Sequence, residues 1–358
     1  MSGARQIDVA RAAGVSQATV STVLGNGADL GRISEHTQRR VREVAHDLGY
    51  RIRRQPVPAP GAVGHDAPPL LGVHTFERML PTSESNYYFE FLSGIEEQAG
   101  LSGANLLLFT AASRDHGTRS VYHGGSNSLA SAAGSLLLGH RANRDDLMRL
   151  SLEGYPFVYV GRRELPDHSI SYVGGDYRNA VGGIVGDLVT MGHRRFGYIG
   201  EETRDETQTE RWEGYRDALE RFGLPIDPPV YAAPSTLSAA VVDSARDAGT
   251  TVLLVESLSL LRVLVALTAL RGIQIPDDLS VVLLVDDSPA DLAPLRTWAT
   301  LQIPRREIGR QAVRLLMSEV AGSDGSIERQ LVLPCTWTLE GSTGPPSSRA
   351  AAGGPHRG

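Results

Sequence analysis

Apolar positions near the start of the chain follow a helical period in short bursts. Val9, Ala10 and Ala13 make one stripe, and Val20, Val23 and Leu24 make a second at i, i+3, i+4. Between them Gly14 permits a tight bend, Val15 can plug the angle between two helices, and Ser16 is a good N-cap for the second. Such a pair is either a helix-turn-helix or an ordinary αα-hairpin. With Val20, Val23 and Leu24 turned inward, Gln17, Ala18, Ser21 and Thr22 project from the opposite face, where a DNA major groove can receive them. After a Gly/Asn/Asp-rich loop over 25–32, Ser34 caps a third predicted helix with Val41, Val44, Ala45 and Leu48 on one face, and Gly49 stops it.

The pattern then breaks. Residues 51–69 hold Arg51, Arg53 and Arg54 ahead of repeated Pro and Gly, which predicts an extended linker. Pro56, Pro58 and Pro60 cannot donate helical hydrogen bonds, so no helix is expected there. From Leu70 short apolar runs alternate with amphipathic segments, the signature of a parallel α/β sheet. The expected strands are Leu70–His74, Asn105–Thr110, Ser135–Gly139, Phe157–Val160, Arg195–Gly200, Thr251–Val255 and Ser280–Val285, with helices between them. Residues 341–358 are Gly/Pro/Ser-rich and are expected to be a disordered tail. The resulting domains are 1–55, a linker at 56–69, a body at 70–340 and the tail.

Charge sharpens this division. The 358 residues carry a net charge of −6, which argues against a protein that coats nucleic acid over its whole surface. Yet residues 1–55 hold nine arginines against five acids, so a basic head precedes an acidic body. The single cysteine, Cys335, excludes an intramolecular disulfide and any multi-cysteine zinc site. No signal-peptide pattern and no apolar run long enough to span a bilayer is present, so a cytoplasmic location is expected.

Particular residues go further. Asp8 through Ser16, Ala18-Thr-Val-Ser21, Val23-Leu24, Ile33-Ser34 and Leu48-Gly49-Tyr50 resemble the DNA-binding headpiece of the LacI/GalR family of bacterial transcription regulators. That resemblance makes Gln17, Ala18 and Thr22 base-facing and Ser16, Thr19, Ser21 and Asn26 phosphate contacts. The chemistry suits those roles, since hydroxyls and amides donate to phosphate oxygens and Gln can pair with adenine. Two departures matter. Thr22 stands where the family often has Arg or Lys, and the linker lacks the hinge helix with its minor-groove Leu, leaving Arg51, Arg53 and Arg54 as a candidate basic arm.

The body resembles the family's periplasmic-binding-protein-like domain through Tyr87-Tyr88, Gly94-Ile95-Glu96, Met191 to Arg195, Arg211-Trp-Glu-Gly214-Tyr215, Ile275 to Val282 and Glu307 to Arg310. The fold class this implies is α/β, a helix-turn-helix headpiece plus a two-lobed periplasmic-binding-protein-like domain. The chain would cross between lobes near Gly174–Asp176, around Asp286–Leu295 and near Leu331. The resemblance places Arg211 and Tyr88 at a small-molecule effector, a sugar or related polar metabolite, held between the lobes. The family's Asn-Asp pair is missing. Glu256 or Ser257, depending on where a one-residue shift in the alignment is placed, stands in its stretch as a substitute, so a sugar does not follow automatically.

Other signals are weak. Gly182, Gly183 and Gly186 lie within a predicted helix rather than after a strand, unlike a dinucleotide fingerprint. No HExxH, His/Cys cluster, Walker loop or nucleophile elbow is present, so no metal, no cofactor and no catalysis are expected. Asp286-Asp287 point to opposite faces if they end a strand. The reading is a homodimeric repressor on a pseudo-palindromic operator, its DNA affinity set by an effector, with no membrane partner. A periplasmic solute-binding protein and a sugar-processing enzyme are the alternatives, disfavoured by the helix-turn-helix and by the missing catalytic set.

Overall fold

The computed structural model describes residues 5–24, 33–48, 68–77, 85–110, 113–115, 118–140, 142–165, 168–286, 297–322 and 330–347. The head has three helices, α1 (Gln6–Ala13), α2 (Gln17–Leu24) and α3 (Glu35–Asp47). Then follow β1 (Leu70–Thr75), α4 (Ser85–Leu101), β2 (Asn105–Phe109), β3 (Ser113–Asp115), β4 (Thr118–Ser120), β5 (Tyr122–His123), β6 (Ser126–Asn127), β7 (Gly134–Leu138), α5 (Arg144–Leu152), β8 (Phe157–Val160) and β9 (Tyr172–Asp176). The rest comprises α6 (Tyr177–Thr190), β10 (Phe196–Gly200), α7 (Glu206–Arg221), β11 (Val230–Tyr231), α8 (Ala239–Asp247), β12 (Val252–Val255), α9 (Leu258–Leu270), β13 (Ser280–Leu283), β14 (Ala299–Gln302), α10 (Arg305–Val320), β15 (Gln330–Pro334) and β16 (Thr336–Thr338).

The head closes on its own small core of Val9, Ala10, Ala13, Val20, Val23, Val41 and Ala45, with Val15, Leu24, Ile33 and Val44 packed against it. Gly14 makes the bend because its φ of 63° lies in the left-handed region, which a side chain would strain. Arg5 starts α1, its backbone N–H donating to the Asp8 carboxylate at 2.8 Å. Ser34 starts α3, its hydroxyl accepting the Thr37 N–H at 3.3 Å.

The body divides into two lobes, one holding 70–173 and 306–330 and the other 174–305 and 331–347. The first has a sheet of order β15-β9-β8-β7-β1-β2, parallel across β9-β8-β7-β1-β2. The second has order β11-β10-β12-β13-β14-β16, with only β16 antiparallel. Their central strands are buried along their whole length, which is why they read as unbroken apolar runs.

Four expectations need correction. The second crossing lies at 305/306, after β14, rather than around 286–295, because Ala299–Gln302 still pairs with β13. Between β2 and β7 the described residues form hairpins β3-β4 and β5-β6 instead of a helix. Gly124 and Gly125, at φ 56° and 83°, turn the second hairpin, and Val121, Tyr122 and Leu129 supply the buried apolar cover. The structure adds the strands β9, β11, β14, β15 and β16 to the seven expected. The supposed tail is structured over its first part: the Val281 N–H donates to the Ser342 carbonyl at 2.9 Å, and the Gly344 carbonyl faces His193 Nε2 at 2.9 Å.

Glycines also set the helix packing. A Cβ at Gly214 of α7 would collide with the Arg178 carbonyl of α6, and one at Gly183 would run into the Trp337 ring. Gly182, Gly183 and Gly186 therefore lie in a packed helix, α6, that covers sheet and neighbour.

Candidate DNA-reading head and effector-binding body

On α2, Gln17, Ala18 and Ser21 are exposed, whereas Val20 and Val23 are buried. Ser16 caps the helix by accepting the Thr19 N–H at 3.0 Å, and the two hydroxyls lie 2.8 Å apart. Thr22 is half-buried, and its hydroxyl donates to the Ala18 carbonyl at 2.9 Å, so what it can still offer is two acceptor lone pairs and a methyl group. Asn26, Arg51, Arg53, Arg54 and the linker to residue 67 lie outside the described residues.

In the first lobe Tyr88 is buried, and its hydroxyl donates to Glu77, just past β1. Burial first and Glu77 second hold its proton far above the ordinary phenol range. The Tyr87 ring meets it edge-on at 5.1 Å. Glu77 also accepts the His140 N–H at 2.8 Å, tying the ends of β1 and β7 together. Tyr88 is thus a buried aromatic tied to the end of β1. Nearby, Arg163 is buried and donates to the Tyr159 hydroxyl at 2.9 Å and the His140 carbonyl at 3.0 Å. Glu77, His140 and Arg163 went unnoticed in the sequence, where nothing but their place after apolar runs marks them.

In the second lobe Arg211, on α7, is 4% exposed, with its guanidinium 4.7 Å from the centre of the Tyr177 ring. Ser257 caps α9, its hydroxyl facing the Leu260 N–H at 3.5 Å. Glu256 departs from expectation. Its side chain is 1% exposed, and its carboxylate accepts the Tyr198 hydroxyl at 2.6 Å, the Glu201 N–H at 2.8 Å and Arg204 Nη1 at 2.6 Å. These partners occupy both oxygens, so Glu256 is a structural acid in place of the ligand acceptor expected. A Cβ at Gly200 would stand 2.8 Å from it, so the tight fit requires glycine. Burial above all, then Glu256, holds the Tyr198 proton well above the ordinary phenol range, and Arg211 and Arg204 oppose this. Asp286, beyond β13, is paired with Arg305. Cys335 is buried, which pushes its thiol up to about 12 and makes it a poor nucleophile.

Models of known families match three stretches. Residues 7–52 match "Bacterial regulatory proteins, lacI family". Residues 74–236 match "Periplasmic binding proteins and sugar binding domain of LacI family", and 185–343 "Periplasmic binding protein-like domain". The HTH-type transcriptional regulator CelR of Thermobifida fusca is 30% identical over 336 residues, covering 88% of this chain and 91% of CelR. The chain belongs to the LacI family. Another member, the repressor CytR of Escherichia coli K12, is 28% identical over 94% of this chain and 95% of its own. Solved structures of a CelR–cellobiose complex and of the lac repressor dimer on operator share the fold. Their TM-scores are 0.60 and 0.61 at 24% and 18% identity, covering 95% and 96% of this chain and 99% and 100% of theirs. As a LacI-family regulator the chain joins a DNA-binding head to an effector-binding body, and among its described residues no helix is long and apolar enough to cross a membrane. The groups of His, Cys, Asp and Glu among the described residues form no metal-holding cluster.

Proposed function

We propose that this regulator is a cytoplasmic repressor that works by binding and not by catalysis, as a homodimer on a pseudo-palindromic operator. The observation that carries the reading is the face of α2, where Gln17, Ala18 and Ser21 stand clear of the head's core while Ser16 and Thr19 fix the helix N-terminus. In this reading α2 enters the major groove and Gln17 pairs with a base. Ala18 and Thr22 make apolar and acceptor contacts, and Ser16, Thr19 and Ser21 hold phosphates. Asn26 and the arginines at 51, 53 and 54 add backbone contacts. A head of three short helices buries too little surface for tight specific binding alone, so two copies would sit with half-sites about one turn, ~34 Å, apart. Support for a second copy comes from the β2 edge, where Leu106 and Leu108 are 37% and 44% exposed beside Leu101 of α4 at 79%. The lac repressor structure is itself a dimer on operator, and CelR was solved with cellobiose. The effector would be held by Arg211 and Ser257 at the ends of the second lobe's strands, shifting DNA affinity by no more than its preference for one of two states.

The test is selection of bound fragments by the full chain from a random DNA pool. An inverted repeat with two equivalent halves is the expected product. Enrichment of a single asymmetric half-site bound by a monomer, or no enrichment, overturns the reading.

A further inference from the structure

Direct reading of DNA in the major groove matches donors, acceptors and methyl groups, and guanine shows two acceptors there, N7 and O6, that a cationic side chain meets best. No cation stands on α2, whose residues are Gln-Ala-Thr-Val-Ser-Thr-Val-Leu. Among the described residues of the head, Arg5 and Arg11 belong to the two ends of α1, and Arg39 and Arg40 belong to α3, with Arg40 lying against the Gly14 bend. The reading face is therefore neutral. The Gln17 side chain is exposed, and its amide sets a donor and an acceptor side by side. Ala18 is also exposed and offers only a methyl group. Thr22 is decided by the fold: with its proton turned back to the Ala18 carbonyl at 2.9 Å, it presents acceptor lone pairs and a methyl group.

Each of these demands has a partner on an A·T pair. Adenine N6–H and N7 match the Gln17 amide in bidentate fashion, and the thymine C5-methyl meets the methyl of Ala18. An acceptor at Thr22 takes the adenine N6–H, while its methyl meets the thymine methyl of the same pair. Guanine facing Thr22 sets acceptor against acceptor. Turning the proton toward guanine gives up the bond to Ala18 and returns a single bond where an arginine would make a fork. Cytosine offers an N4–H donor but no methyl group. Accordingly, we propose that the base pairs facing Gln17, Ala18 and Thr22 in each half-site are A·T pairs, read through the adenine N6/N7 edge and the thymine methyl, and that guanine is excluded opposite Thr22. Thr22 is a specificity-determining residue by virtue of the bond that orients its proton. The inference rests on the reading that α2 enters the major groove.

The experiment selects bound fragments from random DNA with the full chain and with Gln17→Ala, Thr22→Ser and Thr22→Arg. The position whose preference relaxes in Gln17→Ala, and the position that changes from A·T to G·C in Thr22→Arg, identify what each side chain faces. In the parent both should be A·T. Chemical substitution of the selected operator then separates contact from shape. Placing 7-deaza-adenine in the Gln17 pair should weaken the parent about three- to tenfold and leave Gln17→Ala indifferent. Deoxyuridine for thymine in the Thr22 pair should cost the parent about three- to fivefold and leave Thr22→Ser, which keeps the hydroxyl and loses the methyl, indifferent. An inverted repeat with guanine facing Thr22, or with G·C in the Gln17 pair, overturns the proposal and leaves the regulatory reading standing. A·T pairs that tolerate both analogues also overturn it, because DNA shape then sets the preference. No inverted repeat at all overturns the regulatory reading and the proposal together. Should Thr22→Arg fail to fold, deoxyuridine placed in turn at each thymine, in the parent and in Thr22→Ser, still locates the Thr22 pair and decides.

Discussion

Breaking the Glu256–Arg204 pair should destabilise the second lobe by a measurable and non-additive amount. Glu256→Gln keeps the shape but removes the charge that accepts three donors at 2.6–2.8 Å. Removing one partner of a fully buried pair costs roughly 3–5 kcal/mol. Arg204 is 23% exposed, and water recovers part of its solvation, which lowers the expected cost to about 2–3 kcal/mol. Arg204→Gln should cost at least as much, because the charge left behind is the one that is 1% exposed. The double variant should cost less than the two singles together, with a coupling of about 1–3 kcal/mol. All three tryptophans, Trp212, Trp298 and Trp337, belong to the second lobe, so urea unfolding followed by intrinsic fluorescence reports on it selectively. The expected signature is a lower midpoint at unchanged slope. Singles that add within about 0.5 kcal/mol would refute the claim that these residues act as a buried pair.

Three further outcomes follow from other contacts. Gln17→Ala should cost roughly 1–3 kcal/mol at one base pair of the selected operator and relax preference there, whereas Thr19→Ala should weaken all sites alike; equal, sequence-blind losses in gel-shift titrations would remove Gln17 from the reading face. Gly214→Ala should destabilise the second lobe by about 1–3 kcal/mol in urea unfolding, because its new methyl meets the Arg178 backbone and not a movable side chain, and an unchanged midpoint would show that α6 and α7 can part freely. Burial above all, with Arg194 adding, lowers the His193 pKa below 6.5 against the opposing bond to Gly344, so this group's stabilisation is complete above about pH 6.5 and is lost as pH falls through the depressed value. His193→Gln retains a donor for Gly344 and an acceptor for Thr251, and should flatten that part of the melting-temperature profile below pH 6.5; a profile as steep as the parent's would assign the slope elsewhere.

Legibility of the fold varied with how complete an apolar pattern each segment carries. The head's three helices could be read because each presents a complete apolar stripe to one small core, and Gly14 and Ser16 are residue types whose backbone preferences mark a bend and a start. Strands β7, β8, β12 and β13 were legible as unbroken apolar runs. By contrast β9, Tyr-Val-Gly-Gly-Asp, has glycines where side chains would signal a strand, and Gly175 is small because a Cβ there would stand 2.8 Å from the Cys335 sulfur. The segment from Gly341 looked disordered by composition, yet it is held by a buried histidine 151 residues away in sequence. No local pattern carries such information.

The site was harder for a related reason: a residue type announces what a side chain can do, and its neighbours decide what it does. Glu256 follows an apolar strand and reads as an acid at a ligand edge. Only the fold shows that Arg204, from the loop after β10, reaches it first. Asp286 and Arg305 are likewise separated by β14 and unremarkable in sequence. Arg211, in contrast, is marked by its Arg-x-x-Gly-aromatic motif, and the packing explains that spacing. Gly214 lets α7 press against α6, Tyr215 is buried beside it, and Arg211, one turn earlier on the same face, is carried under the Tyr177 ring. One contact geometry therefore fixes both helix packing and the cation's place, so a change at Gly214 should disturb ligand response even where the lobe still folds.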